Sequence, residues 1–152
     1  MNKTRILVVD DHEVVRQGVA RILDGEDGLE ICGEVGTGEE AVREAKRLNP
    51  DIIIMDVRLP GIDGLEATRR ILRAQPGISV LVFTVNESKQ MALEATKAGA
   101  KAYLTKTEGG LRLVDMLKSL VDRRGSPGSG PPKGSGGLPF YLGFGRLGFM
   151  LT

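Results

Sequence analysis

Short apolar runs recur along residues 1–124, and each leads to a polar side chain. Ile6-Leu7-Val8-Val9 runs into Asp10-Asp11, and Ile52-Ile53-Ile54-Met55 runs into Asp56. Val80-Leu81-Val82-Phe83 stops at Thr84, and Ala102-Tyr103-Leu104 leads to Lys106. Runs this short and this β-branched suit strands covered on both faces. Leu29 to Val35 reads as one more strand, second along the chain. Between the strands the apolar spacing turns helical. Val14, Val15, Val19, Ile22 and Leu23 predict a helix over 13–23, and Leu111, Val114, Leu117 and Val121 predict one over 108–123. Thr37-Gly38-Glu39-Glu40 has the form of a capping box and predicts a helix from there to Leu48. A loop with three breakers spans 58–64, and a helix follows to about Ala74. A fourth helix covers 87–98 and stops at Gly99.

Strand and helix thus alternate five times. Connections this short imply a parallel sheet with right-handed crossovers, hence a doubly wound α/β fold over residues 1–124. Such folds bind ligands at the carboxyl ends of their strands. Those ends carry Asp10, Asp11, Asp56, Thr84 and Lys106. Three clustered carboxylates repel one another unless a cation shares the site. Oxygen donors without His or Cys suit a hard cation, Mg²⁺ being the natural choice, and Mg²⁺ also keeps room for a phosphate. Thr84 and Lys106 then read as donors to phosphoryl oxygens. Aspartate is a competent nucleophile for an acyl phosphate. Asp10 and Asp11 are adjacent, as a metal-holding pair would be. Asp56 stands alone, which selects it as the nucleophile.

Each residue also has a plainer reading. Asp10-Asp11 could be a solvated strand end or helix cap. Thr84 could be an ordinary β-former, and Tyr103 an ordinary strand aromatic. His12 reads as a surface helix-start residue rather than a metal ligand, and Cys32 as a small strand residue. Gly33 to Gly38 spaces its glycines G-x-x-G-x-G after the second strand, which rejects a dinucleotide fingerprint.

Composition narrows the classes. The chain is 41% hydrophobic and 27% charged, ordinary for a globular protein. A net charge of +1 points to no nucleic acid or membrane partner. One cysteine excludes an internal disulfide and fits a cytoplasmic, reducing setting. No apolar run approaches the roughly 20 residues of a membrane span, and no signal peptide is expected.

The segments Val8-Val9-Asp10-Asp11-His12, Met55-Asp56-Val57-Arg58-Leu59-Pro60-Gly61-Ile62-Asp63-Gly64, Phe83-Thr84 and Tyr103-Leu104-Thr105-Lys106 resemble the receiver domains of two-component response regulators. The resemblance covers residues 4–123. Asp10 to Gly18, Gly36 to Ala41 and Gly64 to Arg70 look like the NarL/FixJ (LuxR-type) branch, which usually adds a helix-turn-helix output domain; none is visible here. The resemblance implies a flavodoxin-like (βα)5 sheet of five strands ordered 2-1-3-4-5. It implies phosphorylation of Asp56 by a sensor histidine kinase. Mg²⁺ would sit on Asp10, Asp11, Asp56 and the backbone carbonyl of Arg58, with Lys106 on the phosphoryl group. Thr84 and Tyr103 would be the switch pair, and the face of the fourth helix, fifth strand and fifth helix the readout. It implies a phosphoacceptor switch rather than an enzyme, with a homodimer and DNA contact only through an output domain. Thr107 after Lys106, and Arg58 and Asn86 beside the site, depart from the commonest pattern and bear on phosphoryl lifetime. The rival readings are a receiver-shaped interaction module that is not phosphorylated and a phosphatase with an aspartyl-phosphate intermediate.

The picture breaks near residue 124. Gly125 to Thr152 holds no acidic residue, nine of the 21 glycines and four of the six aromatics. Residues 125–137 read as a flexible linker of engineered type. Residues 138–152 read as an apolar tail, vector-derived or frame-shifted in preference to a sticky peptide that docks or pairs as a strand.

Overall fold

The computed structural model describes residues 2–125 and 140–141. Strands β1 (Thr4–Val9), β2 (Leu29–Val35), β3 (Ile52–Met55), β4 (Ser79–Thr84) and β5 (Ala102–Thr105) alternate with helices α1 (Glu13–Asp24), α2 (Gly38–Leu48), α3 (Gly64–Ala74), α4 (Lys89–Ala98) and α5 (Gly110–Gly125). All strand pairs are parallel, and the first five strands take the expected order 2-1-3-4-5. A two-residue strand, β6 (Phe140–Tyr141), extends the sheet beyond β5, with Ala102 opposite Phe140 and Tyr103 opposite Tyr141. The expectations for 125–137 and 138–152 otherwise lie outside the described residues, apart from Gly125, which ends α5.

Alternate side chains of each strand face opposite sides of the sheet, so one sequence run feeds two cores. Leu7, Val9, Ile53, Met55, Val80, Val82 and Tyr103 pack with Ala41, Ala45, Leu65, Ile71, Ala92 and Ala95 of α2, α3 and α4. Ile6, Val8, Ile52, Ile54, Leu81 and Leu104 pack with Val19 and Leu23 of α1 and Leu113, Met116, Leu117 and Leu120 of α5. Continuous apolar strands are the signature of a sheet covered on both faces. Each Val, Leu, Ile or Met buried in this way stabilises the fold by about 1.5–3 kcal/mol relative to exposure.

Helix starts follow hydroxyl and carboxyl caps. Thr37 Oγ1 accepts the Glu40 N–H at 3.1 Å and donates to the Glu40 carboxylate at 3.0 Å. Asp63 caps α3 through the Glu66 N–H at 2.8 Å. Ser88 caps α4 through the Met91 N–H at 3.2 Å, so that helix begins at Lys89 rather than at 87. The last helix also starts later than its periodicity predicts. A 3-10 turn (Lys106–Glu108) and Gly109, with φ +84, intervene before Gly110. Lys106 opens that turn, directly after β5.

Candidate functional site

Two central strands fix the centre of the site. β1 and β3 are neighbours, and Val9 pairs with Met55. The next residue on each strand is therefore an aspartate beside an aspartate. The Asp56 N–H donates to the Val9 carbonyl at 2.9 Å and the Asp10 N–H to the Val35 carbonyl at 3.1 Å, so backbone bonds hold both. Asp10 is only 2% exposed and Asp56 4%. Two buried carboxylates need compensation. Lys106 supplies it from the end of β5, with Nζ 2.6 Å from Asp10 Oδ2 and 3.3 Å from Asp56 Oδ2. The Val57 N–H donates to Asp56 Oδ1 at 2.8 Å.

Burial, then the charge of Asp10, pushes the Asp56 carboxyl above its ordinary range, while Lys106 and the Val57 N–H pull it back. Lys106 lies between the two carboxylates, where its one positive charge offsets both.

The loop after β3 is shaped by close approach. A Cβ on Gly64 would overlap the backbone carbonyl oxygen of Asp56, so only glycine lets α3 begin there. The Gly64 N–H donates to the Val57 carbonyl at 2.8 Å and closes the turn under Asp56. Glu39 at the start of α2 accepts the Ile62 N–H at 3.0 Å, which also draws its carboxyl below the usual range.

Around this centre the structure brings together residues the sequence reading treated unequally. Asp11 is exposed at the mouth. His12 heads α1 as read, but its Nδ1 also lies 3.2 Å from Asp10 Oδ1 and 3.0 Å from Asp11 Oδ1. Arg16, one turn on, donates through Nη1 to the Asp10 backbone carbonyl at 2.5 Å and fixes the peptide between the two acids. No spacing rule distinguishes Arg16 from a surface arginine, so the sequence alone gave it no role.

Thr84 is buried, and its Oγ1 accepts the Asn86 N–H at 3.4 Å. Tyr103 is buried and donates its hydroxyl to the Asn86 carbonyl. Burial, then the Glu87 carboxylate, raises the Tyr103 phenol to about 12, so it stays a donor. Thr107 Oγ1 donates to Glu87 Oε1 at 2.8 Å and bonds Thr105 Oγ1 at 3.0 Å. Arg58 is exposed in the loop two residues past Asp56.

Ligand atoms of Asp10, Asp11, His12 and Asp56 all lie within 4.8 Å of one another. Three carboxylates with two buried members fit a hard divalent cation, whose charge would offset the repulsion now met by Lys106 alone. Among the described residues no helix is long and apolar enough to cross a membrane.

Residues 6–118 match the response regulator receiver domain. The chain is 45% identical over 114 residues to the response regulator GacA of Pseudomonas viridiflava, a match covering 75% of this chain and 53% of that protein. It is 37% identical over 115 residues to the response regulator UvrY of Escherichia coli (strain K12), covering 76% and 53%. The chain thus spans about half the length of the curated relatives it matches. A two-component response regulator of the LuxR family from Aurantimonas sp. SI85-9A1 superposes with TM-score 0.76 at 37% identity, over 81% of this chain and 89% of that one. The signal receiver domain of the response regulator NarL from Mycobacterium tuberculosis superposes with TM-score 0.73 at 26% identity, over 84% and 100%.

Proposed function

The chain belongs to the response regulator receiver family, and from that premise we propose that Asp56 accepts a phosphoryl group from a sensor histidine kinase. One observation carries the reading: Lys106 bridges two buried aspartates at the ends of adjacent strands. An Asp56 carboxylate oxygen attacks phosphorus, the P–N bond to the kinase imidazole breaks, and that nitrogen keeps the electron pair. An acyl phosphate on Asp56 results. Lys106 releases Asp10 and Asp56 and pairs with the phosphoryl oxygens. Thr84 turns its hydroxyl toward the new group and loosens its hold on the Asn86 amide. Tyr103 and the loop after β4 follow, and the face of α4, β5 and α5 is the readout. Asp10, Asp11, Asp56 and the Arg58 carbonyl would hold Mg²⁺, which supplies charge neutralisation for the transferred group.

The chain then works in the cytoplasm as a switch rather than a turnover enzyme. A homodimer, or an output domain that reaches DNA, reports its state. A phosphatase would need a second acid or base at Asp56, and the residue two positions on is the exposed Arg58.

The test is intact mass after incubation with Mg²⁺ and acetyl phosphate, beside Asp56→Asn. The expected result is one phosphoryl adduct on the parent and none on the variant. A parent that stays unmodified overturns the reading.

A further inference from the structure

His12 sits where a metal ligand would sit. Its Nδ1 is 3.0 Å from Asp11 Oδ1 and 3.2 Å from Asp10 Oδ1. Two neighbouring ligands of an octahedral ion, each at about 2.1 Å, lie about 3.0 Å apart. The two His12 spacings are also hydrogen-bond distances, and a cation taking the place of the shared proton would meet a third donor at the spacing of the acid pair. Asp56 brings the fourth ligand atom within the 4.8 Å cluster. The backbone that carries the ring is held twice, by its position as the N-cap of α1 and by the His12 backbone N–H on Asp10 Oδ1 at 2.9 Å. The ring is also open to solvent at the mouth, so a cation can reach it.

Imidazole nitrogen is a poor ligand for Mg²⁺ and a good one for the later first-row divalent ions. We infer that His12 joins the acidic centre as a nitrogen ligand and biases the site toward the later transition cations, with Zn²⁺ and Co²⁺ favoured over Mg²⁺ relative to an all-oxygen centre. The inference rests on the receiver reading only in taking the acid pair and Asp56 as metal ligands. It adds a donor and a selectivity. A cell's transition-metal supply would then bear on this switch directly, since such an ion would sit beside the carboxylate that takes the phosphoryl group.

The test is clean because His12 is the only histidine in the chain. The untagged 152-residue chain is loaded with Mn²⁺ and read by pulsed electron paramagnetic resonance for imidazole nitrogen coupling. Zn²⁺ and Mg²⁺ affinities are taken by competition against that Mn²⁺. His12→Asn is the comparison, since asparagine keeps a good helix cap and removes the ring. The parent is expected to show nitrogen coupling that the variant lacks. The variant's preference for Zn²⁺ over Mg²⁺ should fall about tenfold or more. Mn²⁺ bound without nitrogen coupling, while acetyl phosphate still modifies Asp56, overturns the inference and leaves the receiver reading standing. Neither Mn²⁺ bound nor Asp56 modified overturns both. Nitrogen coupling that persists in His12→Asn also overturns it, for the signal then comes from another group.

Discussion

The rim of the sheet has two unlike halves. On one side Asp10 and Asp56 stand buried at strand ends, each held by its backbone N–H on the neighbouring strand, and Lys106, the first residue after β5, reaches between them. On the other side the loop after β4 (Val85, Asn86, Glu87) and the turn holding Thr107 are largely exposed, and side-chain hydroxyls from Thr84, Tyr103 and Thr107 tie them down. The first half is positioned by about the strongest restraint a fold offers, a parallel sheet with two covered faces. The second is held by single bonds that can be exchanged one at a time. Chemistry that needs fixed distances belongs to the first, and conformational response to the second.

The largest effect should come from the fixed half. Lys106→Met keeps much of the side chain's length and removes its charge, leaving Asp10 and Asp56 facing each other without it. Phosphoryl uptake from acetyl phosphate should slow about 10²–10³-fold, the loss typical of one charge-stabilising donor. The adduct's appearance over time by intact mass measures this. A rate within threefold of the parent would mean Lys106 is structural and would erase the contrast.

A second expectation concerns protons. The Asp56 carboxyl lies above its ordinary range because it is buried beside Asp10. The folded chain therefore holds that proton more readily than the unfolded chain. This contribution is fully present below the ordinary carboxylate range and is lost as pH rises through the raised value. Asp56→Asn has no such loss. Its melting temperature should exceed the parent's at about pH 7 in chelator, with the gap closing toward about pH 4. A gap that does not change with pH would place the cost of Asp56 elsewhere. Added Mg²⁺ should narrow the gap by restoring charge balance in the parent.

The fixed half was also the legible half. Apolar runs that end at Asp10, Asp56 and Thr84 place those residues at strand ends, because strand length and buried pattern are local properties. The capping box at Thr37 and the stop at Gly99 were readable for the same reason. The other contacts were not. The place of Lys106 on the rim was readable, but not its bond to Asp10 across 96 positions, nor that of Thr107 to Glu87 across 20. Nothing in a local pattern states such a pairing. His12 read as a helix start, which it is, and its closeness to both acids depends on how α1 leaves β1. Helix starts at 87 and 108 moved to 89 and 110 because Ser88 and Gly109 control the backbone there, whatever the apolar period says.

The smallest expected effect tests the adjustable half alone. Thr107→Val keeps the shape of the side chain and deletes the hydroxyl that reaches Glu87. That bond is exposed and made to a charged partner, so its loss should cost only about 0.5 kcal/mol. The melting temperature should hardly move. Half a kilocalorie is about a twofold change in a local opening equilibrium, however, and local opening sets amide exchange. The Glu87 and Ser88 amides should exchange about twofold faster, while those of β1 and β3 stay unchanged. Glu87→Ala should speed exchange at the same place, and in the double variant it should add nothing to Thr107→Val, which removes that bond together with the contact to Thr105 Oγ1. Additive effects would show that the two residues act separately, and the tie between the loop and the turn beside Lys106 would then have no energetic content. Effects that do not sum would mean that the residue next to Lys106 restrains the loop that Thr84 and Tyr103 also hold. Position 107 would then adjust the response of the switch without touching its chemistry.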